Sequence, residues 1–440
     1  MNIKRLELTR IRAFGQAEFD FTPGMNLIVG VNGVGKTTVL DSVRICLSRI
    51  LPKITASRSK PDSFETEDIR GNLSSLTAKL TFEVGKQGFQ YIRHQPRVEI
   101  VLPTRKTIAP QTRELLDQRL KGPGKLRKRI RQLEETADAP DLDTFIPDLN
   151  ELQTAIRSSQ VHPIGIYFST RRSLVSDATS SAGKIASEES VAFAEALSSR
   201  ELRLAELAHW MHAQAVQARD YLPAERHLAA LRRAAKVFLP DCKNLRAETS
   251  PKPRLLVDKG RITLDVRQLS DGERGLLALV LDIARRLSQA NPGLSDPVKQ
   301  GKAVVLIDEL DLHLHPKWQR TIVERLTTTF HHCQFIATTH SPQVVAAVEP
   351  EQVFLLTDMG VLRPDRTLGM DSNWILRHLM EADDRPLRAA GAIKSIEKLI
   401  DGRNFKKART AIATAKKEGW DLPEWSVLEA RMARMELLEK

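Results

Sequence analysis

The sequence predicts a mixed α/β fold: a mixed sheet around a glycine-rich turn, helical insertions, and a small helical C-terminal domain. Three observations carry this prediction. The apolar segment MNLIVG, 25–30, runs directly into a glycine-rich turn and then into the helical pattern TTVLDSVRICLSRIL. Far downstream, AVVLIDEL, 303–310, is a continuous apolar run that ends in acids. A further apolar run, QFIATTHSP, 334–342, reaches His340. Short apolar runs bounded by polar turns describe strands buried on both faces of a parallel sheet. In open α/β sheets, ligands gather at the carboxyl ends of such strands.

The first segment, IKRLELTRIRAF, alternates as a strand does. The turn after the next strand, Gly30-Val31-Asn32-Gly33-Val34-Gly35-Lys36-Thr37, matches GxxxxGK(S/T) in full, between strand and helix as the motif requires. Its glycines let backbone N–H groups turn inward around phosphate oxygens, and the helix N-terminus adds partial positive charge. Asn32, Gly33, Val34, Gly35, Lys36, Thr37 and Thr38 are therefore the candidate nucleotide-binding residues. Lys36 is placed to reach the β- and γ-phosphates, and Thr37 to hold Mg²⁺ through its hydroxyl. LTAKLTFEVGKQGFQYIRHQ, 76–95, then reads as a hairpin around Gly85 and Gly88 in the N-terminal lobe.

The middle of the chain is charged and helical. KGPGKLRKRIRQLEE, 121–135, packs six Lys and Arg side chains together. Such a cluster suits either a nucleic-acid backbone or a solvated helix end after a Pro-Gly break. SDATSSAGKIASEES, 176–190, reads as a polar loop, and 190–239 as helices. No sustained heptads occur, so the insertion is compact and carries no long coiled-coil arm.

In QLSDGERGLLALVLDIARRL, 268–287, Ser270 is a good N-cap and Glu273 completes a capping box. Either the box merely starts a helix, or the helix N-terminus receives a phosphate from outside. At the end of AVVLIDEL, Asp308 is placed to organise Mg²⁺, and Glu309 to polarise an attacking water as general base. His340 is a candidate contact to the terminal phosphate. His313 and His315 lack the further ligands a metal site needs.

In this order the elements resemble the ATP-binding-cassette (ABC-type) ATPase superfamily, over roughly residues 1–365 with gaps. LSDGE stands at its signature, VVLIDE at its Walker B strand, Leu310-Asp311-Leu312-His313 at its D-loop and His340 at its switch histidine. The resemblance implies ATP and Mg²⁺ as ligands and ATPase activity with Glu309 and His340 as catalytic residues. It also implies a homodimer or higher oligomer, in which Ser270 and Gly272 of one head contact the γ-phosphate held by the other. IDELDLHLHPKWQ with QFIATTHSP is similar to the RecF/SMC/OLD-like branch and not to transporter cassettes. One departure stands out: no Q-loop is clear. The strand IGIYF with Ser169-Thr170-Arg171-Arg172 occupies the equivalent place, while Gln90 and Gln95 lie earlier, in the hairpin.

The tail changes character. TLGMDSNWILRHLM precedes two amphipathic segments joined by DGRN and a last helix, EWSVLEARMARMELLE. This αα-hairpin suits a docking module or a cap on the head. With IDELDLHLHPKWQ and LSDGERGLLAL, the tail resembles the PtuA-like ATPases of Septu and retron-associated antiphage defence. That resemblance implies an ATPase subunit that restrains or licenses a separate PtuB-like HNH nuclease, alongside reverse transcriptase and msDNA where a retron is present.

The expected division is 1–104 for the N-terminal lobe, 105–250 for the insertion (with strand 163–168 returning to the head), 251–366 for the C-terminal lobe and 367–440 for the helical module. The net charge of +12 over 440 residues favours polyanionic partners, nucleic acid among them, or marks a solvated basic surface. Three scattered cysteines without a CxxC pair argue against zinc and disulfides and for reducing cytoplasm. No run approaches the ~20 apolar residues of a membrane helix. A built-in Toprim nuclease is disfavoured, since only about a hundred residues follow His340 and they hold no DxD pair. A RecF-like repair ATPase acting on DNA directly is the alternative reading.

Overall fold

The computed structural model of the chain describes residues 1–97, 142–159, 161–173, 175–176, 189–382, 387–420 and 422–438. The basic stretch 121–135 and most of the loop expected at 176–190 lie outside them. The chain divides into two units, Met1–Ile375 and Leu376–Lys440.

The strands in chain order are β1 (Asn2–Ile11), β2 (Phe14–Asp20), β3 (Met25–Gly30), β4 (Ser75–Val84), β5 (Gln87–Pro96), β6 (Leu142–Ile146), β7 (Ile164–Phe168), β8 (Val175–Ser176), β9 (Leu202–Arg203), β10 (Cys242–Glu248), β11 (Arg254–Lys259), β12 (Ile262–Asp265), β13 (Ala303–Ile307), β14 (Cys333–Thr338), β15 (Val353–Thr357) and β16 (Gly360–Leu362). An antiparallel sheet runs β2-β1-β4-β5-β6. The hairpin expected at 76–95 is β4 and β5, turning at Gly85-Lys86. β2 and β6 were not anticipated. β6 takes 142–146 out of the expected insertion and pairs it with β5.

The central sheet has the order β16-β15-β3-β14-β13-β7. All its strands are parallel except β16, which pairs antiparallel with β15 at the edge. Every residue of β3, β7, β13 and β14 is buried, as continuous apolar runs covered on both faces should be. Between the two sheets packs the helix Lys36–Ile54. Its Val39, Leu40, Val43, Leu47 and Ile50 share one core with Leu6, Leu8 and Leu80 on one side and Leu306 and Ile336 on the other. Buried Gln334 ties the sheets together, since its amide donates to the Ile3 carbonyl at 2.8 Å and accepts from the Ile3 N–H at 2.8 Å.

The run 190–239 is helical in pieces: Glu189–Phe193, Leu204–Gln217 and Leu222–Phe238. It breaks where Glu195 takes a left-handed φ of 52° and where β9 pairs with β8. The break is held against the long helix Asp271–Ala290 by a buried ionic cluster. Asp282 accepts from Arg285 at 2.6 Å, Arg286 at 2.9 Å and Arg200 at 3.1 Å. Arg286 also donates to the carbonyls of Ala192 and Ala194. Burial pushes the Arg286 guanidinium down to about 9 against the pull of Asp282. Burial raises Asp282, yet its arginines hold the carboxyl well below the usual carboxylate range.

In the second unit, helices Leu387–Asp401, Phe405–Lys417 and Glu424–Leu438 close around Ile396, Ile400, Phe405, Ile412, Trp425 and Met432. The Trp425 indole N–H donates to the Trp420 carbonyl at 2.6 Å, so this aromatic is both packed and satisfied.

Candidate nucleotide site

β3, β14 and β13 are neighbours and parallel, so the residues after them emerge at one edge of the sheet. That edge collects the glycine-rich turn, His340 and the pair Asp308–Glu309. The turn has the backbone its glycines allow. Gly30 has φ 156° and Gly35 φ 110°; an added Cβ would stand 2.6 Å from the Leu356 carbonyl oxygen at the first and 2.8 Å from the Phe14 ring at the second. Gly35 caps the helix Lys36–Ile54 with no side-chain hydrogen bond, and no acid occupies the first turn. Its leading N–H groups are thus left for an anion. Lys36 is buried, and its ammonium donates to the carbonyls of Gly30 at 2.9 Å and Val31 at 2.8 Å. Burial lowers its pKa, with Asp308 and Glu309 pulling the other way. Asn32, Gly33 and Thr37 are exposed, Val34 and Gly35 half-buried, and Thr38 is buried.

The acid pair is held by Thr338, which no sequence pattern marked, and by Arg172, which the sequence marked only as standing at the place of a Q-loop. Buried Asp308 accepts from the Thr338 hydroxyl at 2.7 Å. The same oxygen accepts the Glu309 N–H at 2.7 Å. Glu309 takes φ 52°, a conformation that costs a non-glycine residue and clusters at functional sites. From below, buried Arg172 donates to the carbonyls of both Asp308 and Glu309. Burial pushes this guanidinium down to about 10, opposed by Asp308, Glu309 and Asp311. The signals existed in the sequence: Arg172 follows an apolar strand, and Thr338 precedes the histidine.

His340 is exposed, and its backbone N–H donates to Asp311 at 3.1 Å. Asp311 also accepts from the Thr339 hydroxyl at 2.6 Å, which joins the residues after β13 to those after β14. Ser270 caps Asp271–Ala290 in the expected capping box: Oγ lies 3.4 Å from the Glu273 N–H, and the Ser270 N–H donates to Glu273 at 3.2 Å. The acids of this first turn are paired, Glu273 with Lys259 and Asp271 with Arg274, each at 2.6 Å. Gly272 is buried against the His313 carbonyl. Among the described residues no group of three or more His, Cys, Asp or Glu could hold a metal ion. Mg²⁺ needs no such cage, since it is usually bound through one or two protein oxygens plus phosphates; Thr37 and Asp308 fit that requirement.

A strand–GxxxxGKT–helix turn one strand removed from a parallel strand that ends in paired acids defines the class, a P-loop ATPase domain. Residues 25–346 match the family described as "AAA domain, putative AbiEii toxin, Type IV TA system", and the chain belongs to it. A stretch covering 34% of the chain is 46% identical to a Retron Ec83 probable ATPase of Escherichia coli, of which it covers 27%. Another, covering 21%, is 37% identical to a Septu protein PtuA of Bacillus mycoides, of which it covers 12%. The chain thus spans well under half the length of these relatives. An SMC head domain from Thermotoga maritima superposes with TM-score 0.42 at 15% identity, over 83% of this chain and 100% of that one. No described helix is long and apolar enough to cross a membrane.

Proposed function

We propose that this chain is the ATP-binding and ATP-hydrolysing regulatory subunit of an antiphage defence complex. It would work in the cytoplasm and control a separate HNH-type nuclease. The observation that carries the nucleotide part is the buried Lys36 in an uncapped, acid-free helix start, at the sheet edge shared with Asp308 and Glu309. In this reading the turn amides and Lys36 hold the phosphates, and Thr37 and Asp308 hold Mg²⁺. Bound there, the ion would neutralise charge on the transferring phosphoryl group. Glu309 takes a proton from the attacking water, and His340 contacts the terminal phosphate. The retron and Septu names of the relatives support the defence setting.

The proposal extends to a homodimer with composite sites, completed by Ser270 and Gly272 of the second copy. The capping box qualifies this. The Ser270 hydroxyl already bonds Glu273 at 3.0 Å, so reaching a phosphate requires it to exchange that carboxylate for the new oxygen. The test is direct. Lys36→Ala should abolish ATP affinity, and Glu309→Gln should keep affinity while turnover falls by about 10²–10⁴-fold. Mixed Lys36 and Ser270 variants should regain one working site; absence of recovery defeats the composite model. Affinity purification of the tagged chain tests the partner. A stoichiometric nuclease supports the defence complex. Recovery of the chain alone on DNA favours the RecF-like reading, which the +12 charge also permits.

A further inference from the structure

Away from the phosphate turn, a cavity of about 650 Å³ opens between helices Leu204–Gln217 and Leu222–Phe238 and the end of Asp271–Ala290. Its volume lies within the span of small-molecule sites, about 300–1,000 Å³. Its lining combines flat apolar surface with hydrogen-bonding groups, among which Asp220 is the one acid. The Trp210 indole N–H is buried with no partner among the described residues, and an orphaned donor of that kind calls for an explanation. Buried Gln214 donates to the Gln217 side-chain oxygen at 3.3 Å, which leaves its own carbonyl oxygen and the Gln217 amide hydrogens for another molecule. His227 Nε2 lies 3.3 Å from the Leu294 carbonyl; a carbonyl only accepts, so Nε2 carries the hydrogen and Nδ1 remains an acceptor. Tyr221 stands 54% exposed on the rim, offering a ring face.

The same lining rejects other ligand classes. No Lys or Arg lines the cavity, while Asp220 does, so an anion has nothing to neutralise it there. His227 and Asp220 are too few for a metal site. A lipid chain would leave the buried Trp210 N–H and the Gln214 side-chain oxygen unmatched, at the cost of their desolvation. What fits is a neutral planar ring with donors and acceptors on its edge and a π-face for stacking.

We infer that this cavity binds a nucleobase, with any attached phosphates outside it. The base would come either from a free nucleoside or from an unstacked nucleotide of a single strand. Exposed Arg219 and Arg226, next in sequence to the lining residues Asp220 and His227, supply cations for a strand's backbone. This inference does not depend on the proposed function.

The test is calorimetry of the full chain with free ribonucleosides, which lack the phosphates the glycine-rich turn requires, and anisotropy with labelled single-stranded oligonucleotides. Tyr221→Ala and Gln217→Ala alter exposed residues, so the fold should survive, as a thermal melt would verify. The expected result is binding that weakens about tenfold in Tyr221→Ala, the scale of one lost base–aromatic stack, with ATP affinity unchanged. Binding of nucleosides identifies a free ligand; binding of strands alone identifies a base reader. Lys36→Ala should leave both untouched. No binding of either probe, or binding indifferent to both substitutions, overturns the inference.

Discussion

A Cβ placed on Gly272 would stand 2.4 Å from the carbonyl oxygen of His313. The glycine of the LSDGE segment therefore has a reason inside its own chain: it lets the start of the helix Asp271–Ala290 press onto the turn that follows the acid pair. His313 itself sits at φ 59°, a conformation that already costs a non-glycine residue. Gly272→Ala should destabilise the fold by about 1–3 kcal/mol, the usual cost of overpacking, and lower ATP turnover by displacing that turn. Chemical denaturation checks the first effect. An unchanged midpoint would show that the turn yields freely and that Gly272 is needed only for an external phosphate.

Thr338 gives a second prediction. Its hydroxyl both donates to Asp308 and accepts from the Glu309 N–H, and the residue is fully buried. Thr338→Val keeps the shape and removes both bonds. Leaving the half-buried Glu309 amide and the buried Asp308 carboxylate without this hydroxyl should cost about 1–3 kcal/mol. Turnover should fall more than ATP affinity, because Lys36 and the turn are unaffected. Equal loss in both would mean that Thr338 supports the whole sheet edge; no loss of turnover would leave Arg172 as the group that orients Glu309.

These two residues also mark where the sequence stopped being legible. The phosphate turn, the strands ending in Asp308 and before His340, and the Ser270–Glu273 box are local patterns: their spacing repeats what one strand or one helix start must look like. Arg172 and Thr338 act across sheet neighbours far apart in the chain, and no local period announces such contacts. The same holds for β6, whose pairing with β5 is fixed by a partner some fifty residues away. The Gly272 contact was hidden differently, since a glycine in a helix start reads equally as a phosphate contact and as a packing requirement.

Asp282 tests the stability of the long helix. It is 2% exposed and faces Arg200, Arg285 and Arg286. Asp282→Ala removes the only carboxylate that touches all of them among the described contacts; Arg200 and Arg285 keep Glu206 at 3.8 and 4.0 Å, and buried Arg286 is left with none. Breaking a buried ion pair from one side costs about 3–5 kcal/mol. A double variant, Asp282→Leu with Arg286→Met, should recover the part of that loss that belongs to Arg286, because a packed apolar pair needs no compensation, while Arg200 and Arg285 retain Glu206. Failure of the double variant to recover would show that the Arg286 bonds to the Ala192 and Ala194 carbonyls matter more than the ion pairs.

His227 supplies a pH dependence whose sign can be fixed. Burial lowers its pKa from the ordinary value of 6.5, while the Leu294 carbonyl and Asp296 pull less strongly the other way. The unfolded chain therefore takes up a proton that the fold refuses. As pH falls through the ordinary histidine range the unfolded state gains, and stability drops; above that range the penalty is absent. The groups with lowered carboxylate values, Asp143, Glu206, Asp258, Glu273 and Asp282, act only at lower pH, near their ordinary values of 3.8 for Asp and 4.5 for Glu. Between about pH 7.5 and about pH 5.5 the wild-type chain should lose more stability than His227→Gln, whose neutral amide can still donate to the Leu294 carbonyl. Urea midpoints at both pH values measure the difference. Parallel slopes for the two proteins would mean that the imidazole protonates in the fold and that its Nδ1 is not the neutral acceptor the cavity requires.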